Sequence, residues 1–174
     1  MNHDDTLYQL IDRIREHITR AEKQYVLRNN REKWLSLASA IYLIEDTSSA
    51  MEYYLDCEFP IENGGKYLMI YGLLQACFLQ QDAMNSISSS LFNRKIKYSE
   101  DYPELYAIRI IRNQVAGHPI KHADKEYIQI NQSTVEKSGF EYLVEETTRG
   151  KAHFKYVDIT EVIQAAKQCA HDVL

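Results

Sequence analysis

The sequence predicts a mainly α-helical protein: an antiparallel helical bundle of about four long helices, followed by a small β-hairpin or meander and a short C-terminal helix. Three observations predict it. Six glycines and three prolines in 174 residues are too few for a Gly-rich nucleotide-binding α/β domain, a turn-rich β-sandwich or a disordered linker. Apolar side chains recur at three- and four-residue intervals in the N-terminal two thirds, the period of an amphipathic helix. Beyond residue 126 the spacing changes to the alternation of strands. A chain of this length, 45% hydrophobic and 26% charged, is expected to form a single domain, 1–174, made of the bundle (1–122), the β appendage (123–158) and the final helix (159–174).

Each element has its own signal. Residues 4–28 space Leu7, Leu10, Ile11, Ile14, Ile18, Ala21 and Tyr25 along one side, with Arg13, Glu16, Arg20 and Lys23 opposite. Residues 31–57 repeat the pattern with Trp34, Leu37, Ile41, Ile44, Ser48, Met51 and Leu55. Pro60 and the Asn63-Gly64-Gly65 cluster are read as a break before a third helix from Tyr67 to about Leu91. Its first half is apolar on nearly every face, which places it at the centre of the bundle. Gln80, Gln81 and Asp82 follow at once, and they either reach solvent or form an internal polar patch.

Ser99-Glu100-Asp101-Tyr102-Pro103-Glu104 has the acidic residues and proline of a helix start. That helix runs through Leu105, Ile108, Ile111 and Val115, and Gly117 and Pro119 end it. Tyr127–Ile130, Phe140–Val144 and His153–Val157 read as strands, with turns at Ser138-Gly139 and Arg149-Gly150. Asp158-Ile159-Thr160-Glu161 opens the last helix, which carries Val162, Ile163, Ala166 and Ala170.

Charge and cysteine content exclude several functions. The longest apolar run, Tyr67 to Leu79, is interrupted by Gly72 and Gln75 and falls short of the roughly 20 residues of a membrane span. The acidic start Met1-Asn2-His3-Asp4-Asp5 is not that of a signal peptide, so the protein is expected to be cytoplasmic. Cys57, Cys77 and Cys169 are odd in number and widely spaced, as expected of reduced, mostly buried thiols. A net charge of −5 argues against nucleic-acid affinity spread over the whole surface. Segment 93–125 is the exception, with seven basic residues against four acidic ones.

Chemistry has two candidate locations. There is no phosphate loop, nucleophile elbow, His-Glu-x-x-His or Cys/His metal spacing. His118 and His122 have the four-residue spacing of two metal ligands, but Pro119 interrupts the helix they would need and no third ligand is evident, so no metal and no cofactor is expected. Arg112 lies seven residues after Leu105, on the edge of an apolar stripe, where a guanidinium must find a carboxylate or a phosphate. Glu45, Asp46 and Asp82 are the candidate carboxylates. Tyr98, Tyr102 and Tyr106 recur every four residues beside the basic segment, as core or dimer contacts or as stacking partners for bases.

The stretch Arg112-Asn113-Gln114-Val115-Ala116-Gly117-His118 resembles the signature of the HEPN superfamily, helical domains named for nucleotide binding in higher eukaryotes and prokaryotes. Its motif is an Arg, often followed by a polar residue such as Asn, then a His after four to six positions. The resemblance covers the bundle, about residues 1–122, and the β segment would be an addition to it. It implies a homodimeric helical protein acting as a metal-independent endoribonuclease of a toxin–antitoxin or phage-defence system, with a cognate antitoxin as a further partner. Arg112 would stabilise the phosphorane, His118 would transfer protons and Asn113 would orient the phosphate or the imidazole. Arg109 and Lys121 would attract the RNA backbone.

On an ideal helix Arg112 and His118 stand about 120° apart, six steps of about 100°. Unwinding at Gly117 or a two-fold dimer would bring such groups into one cleft. Two other functions are compatible with the same bundle: a noncatalytic interaction module, and a small-ligand or nucleotide-binding domain.

Overall fold

A computed structural model describes residues 6–20, 29–117, 126–146 and 150–174. Among them are six α-helices and one three-stranded antiparallel sheet, so the protein is mainly helical. No helix among the described residues is long and apolar enough to cross a membrane.

Helix α1 (Leu7–Thr19) opens with a capping box: Thr6 accepts from the Gln9 amide at 3.4 Å, and Gln9 accepts from the Thr6 amide at 2.7 Å. It buries Leu10, Ile11 and Ile18. It stops at Thr19, short of the expected residue 28, and Arg20 is already extended. The Thr19 hydroxyl donates to the carbonyls of Arg15 and Glu16, a local bond that competes with continuation of the helix. Residues 21–28 lie outside the described residues.

Helices α2 (Arg31–Asp56) and α3 (Asn63–Phe92) pack along each other in opposite directions, since Ser36 meets Ser86 and Ser48 meets Gln80. Asn30 caps α2 by accepting from the Lys33 amide. Contrary to the sequence reading, Asn63-Gly64-Gly65 does not break the chain but forms the first turn of α3. Gly65 permits this because a Cβ there would lie 2.6 Å from Pro60 Cβ, so the preceding loop folds tightly over the helix start. At the other end Asn93 adopts the left-handed conformation (φ 53°) and donates its amide to Ser89.

A four-residue α4 (Tyr98–Asp101) leads to α5 (Pro103–Arg112), with proline in the first turn where no amide donor is needed. The expected α-helix to Val115 is not observed. The backbone changes after Arg112 to a π-helical turn, Asn113–Gly117. The tyrosine stripe divides accordingly. Tyr98 is buried and donates to the Gln81 carbonyl at 2.8 Å, Tyr102 is half-buried, and Tyr106 is exposed.

Strands β1 (Glu126–Ile130), β2 (Gly139–Glu146) and β3 (Lys151–Asp158) form a meander in sequence order. Ile128 pairs with Val144 and Ile130 with Tyr142, so β1 and β2 bury one face and turn Tyr127 and Gln129 outward. Strand β1 packs against the π-helical turn. Helix α6 (Ile159–Val173) follows β3 directly and packs on α3 and α5. The buried apolar side chains of α1, α2, α3, α5, the sheet and α6 are in mutual contact. Cys77 and Cys169 are buried within them, Cys57 is half-buried, and all three thiols are free.

Candidate functional site

The last turns of α5 present Arg109 and Arg112, three residues apart and therefore on one side of the helix. Facing them, α3 presents Gln75, Phe78 and Asp82, spaced by three and four. Between the two rows lies the Phe78 ring, with the Arg109 and Arg112 guanidinium carbons 4.1 and 4.3 Å from its centroid.

The two arginines differ in what holds them. Arg109 Nη1 donates to Asp82 Oδ1 at 2.8 Å, an ion pair in which both side chains keep some solvent contact. Arg112 Nε and Nη2 donate to a single atom, Gln75 Oε1, at 2.9 and 2.6 Å, while Nη1 donates to Asn113 Oδ1 at 2.9 Å. Its partners are thus two neutral amides and an aromatic face.

None of the carboxylates considered from the sequence pairs with Arg112. Asp82 pairs with Arg109 instead, Glu45 pairs with Arg15, and Asp46 is exposed. Among the described residues Arg15, Lys97 and Arg109 pair with acids, and Arg112 does not. Arg109 is correspondingly less available to an RNA backbone than its sequence position suggests, because Asp82 already neutralises it.

The π-helical turn begins immediately after Arg112. Turns of this kind admit one extra residue, and they are common where a side chain must be re-aimed at a functional site. The ideal α-helical geometry on which the 120° separation rests therefore ends at Arg112. His118, Lys121 and His122 lie outside the described residues. Asn113 is exposed with its carbonyl on Arg112, and Gln114 is buried with no partner on its Oε1 among the described residues.

Gln80 and Gln81 resolve the sequence alternatives: both are internal, and Asp82 alone reaches the rim. Gln81 donates to the Leu105 carbonyl at 3.1 Å and ties α3 to α5 beneath the arginines. Gln80 donates to Ser48 at 3.1 Å and borders a cavity of about 470 Å³, away from the arginines and lined also by Tyr8, Glu52, Lys167 and His171. Its own side-chain carbonyl oxygen has no hydrogen-bond partner among the described residues.

Gln75 and Phe78 did not stand out in the sequence. Gln75 reads as an interruption of an apolar run and Phe78 as part of it. The available signal was spacing: Gln75, Phe78 and Asp82 share a side of α3 that Leu74, Cys77 and Gln81 do not. The chain matches no family model, no curated protein and no solved structure.

Proposed function

We propose that the chain is a HEPN-type, metal-independent endoribonuclease in which Arg112 and His118 act on an RNA phosphodiester. The observation that supports it most is the Arg112 guanidinium, half-exposed and held by neutral groups, directly before a π-helical turn that leads to His118. A cation that no described carboxylate neutralises is suited to an anionic oxygen.

RNA supplies its own nucleophile. Neutral His118 takes the proton of the 2′-hydroxyl as that oxygen attacks the adjacent phosphorus, and the departing 5′-oxygen receives a proton from an imidazolium. The products are a 2′,3′-cyclic phosphate and a 5′-hydroxyl end. Arg112 stabilises the charge that accumulates on the non-bridging oxygens, and Asn113 fixes its outer nitrogen. Two copies related by a two-fold axis would supply two imidazoles to one cleft, one as base and one as acid. In this reading the protein is cytoplasmic, its α-helices form an antiparallel bundle, and it acts in a toxin–antitoxin or phage-defence setting.

Labelled RNA incubated in excess chelator tests the chemistry. The wild type is expected to cleave, and Arg112→Ala and His118→Ala each to lose about 10²-fold or more of the rate. Equal cleavage by all three, or by none, removes the ribonuclease reading. The cavity beside Gln80 favours a second reading, a small-ligand-binding domain. A rise in melting temperature with free nucleotides, in a protein that cleaves no RNA, would establish that one instead.

A further inference from the structure

We infer that Gln75 is a positioning residue that leaves the charge of Arg112 uncompensated and its fork open, its amide oxygen standing where a phosphate oxygen of the substrate binds. The inference rests on the proposed role of Arg112 in holding RNA phosphate. The Nε–Nη2 edge of a guanidinium is the edge that grips carboxylates and phosphates in two-pronged fashion. Here both donors of that edge converge on Gln75 Oε1. The amide meets the geometric demand of the fork without cancelling its charge.

The arrangement is asymmetric. Asp82 and Gln75 lie on either side of Phe78 along α3, and each meets one arginine of α5. Arg109 receives the acid and Arg112 the amide, in a chain with 25 acidic residues against 20 basic ones. A Glu in place of Gln75 would differ by one terminal group and turn the second pair into another ion pair.

Phosphate competes well with an amide for the fork, because it adds an opposite charge and offers a separate oxygen to each donor, where the amide offers one oxygen to both. When Gln75 Oε1 yields, the Phe78 ring still lies against the guanidinium. The Gln75 amide nitrogen is then available to donate to the incoming phosphate. Phe78 thus holds the plane of the fork, and Gln75 leaves its charge uncompensated.

Two substitutions separate charge from packing. In the full chain, the Arg112 Nε–H signal is followed by NMR during titration with inorganic phosphate, and binding of a short single-stranded RNA is measured against salt. In the wild type, phosphate is expected to shift the signal. In Gln75→Glu the shift should vanish, RNA affinity should fall about tenfold, and the salt slope should decrease by about 0.7, one phosphate contact.

The melting temperature of Gln75→Glu should stay equal or rise. Gln75→Leu, which removes the acceptor but adds no charge, should keep the wild-type slope and bind within about threefold. Wild-type behaviour of Gln75→Glu, equal damage from both substitutions, or a phosphate-silent wild type would each overturn the assignment. If the phosphate results hold but His118→Ala does not affect cleavage, the ribonuclease reading fails and the anion clamp stands.

Discussion

Cys77 lies at the centre of α3 with 1% of its surface exposed, and burial pushes its thiol up to about 12 from 9.0. Cys169 in α6 is raised to about 12 for the same first reason. A raised thiol means that the fold favours the protonated form. Its contribution to stability is complete below pH 9.0, the unfolded value, and is lost as pH climbs toward about 12. Each such thiol then steepens the loss by up to about 1.4 kcal/mol per pH unit in that window. Cys77→Ala should cost about 1 kcal/mol near neutral pH through the small void it leaves, yet decline less steeply above pH 9.0. Urea unfolding of both proteins across the alkaline range measures this, and parallel slopes would refute it. Tyr54, Tyr98 and Tyr102 are also raised by burial, so their ionisation steepens the alkaline loss only at higher pH.

At the scale of elements, helix α6 depends on a single residue for its start. Asp158 Oδ1 accepts from the amides of Thr160 at 2.8 Å and Glu161 at 3.1 Å, satisfying two donors that the first turn leaves open. Asp158→Ala should therefore cost about 1 kcal/mol. Chemical denaturation checks it, and a change below about 0.3 kcal/mol would show that packing of α6 on α3 and α5 sets its start instead. This cap was legible in the sequence, as were α2, the last helix and all three strands, because their signals are periodic or local. Features that depend on tertiary contacts were not. The π-helical turn is such a feature: Asn113–Val115 has an ordinary helical pattern, and β1 packs against it from beyond residue 125. Gly65 illustrates the same limit, since its turn potential is overridden by packing of Pro60 on the first turn of α3. At the site, Arg112 was legible as an anomaly on an apolar edge, but its partners were not. Opposite charge suggested Glu45, Asp46 or Asp82, and the facing helix brought Gln75.

For the molecule as a whole, a net charge of −5 repels RNA, so a nuclease of this charge must concentrate its attraction. The basic excess of segment 93–125 is partly spent, because Arg109 pairs with Asp82 outside the segment. The Arg112 guanidinium alone offers little steering, and a two-fold pair would double it within one cleft. The surface beside Arg112 is suited to such pairing. Leu68 lies two helical turns before Gln75 on the same side of α3 and is 74% exposed, and Tyr71 lies between them. Exposed apolar residues that share helix faces with a site are expected where a second copy covers them. Leu68→Glu should therefore shift a dimer toward monomer in sedimentation and reduce RNA cleavage in parallel. Its melting temperature should change little, because a residue so exposed contributes less than about 0.5 kcal/mol to the fold of one chain. A wild type that sediments as a monomer at concentrations where it cleaves RNA would show that both protons are handled within one chain, and the burden would return to Arg112 and His118 of a single copy.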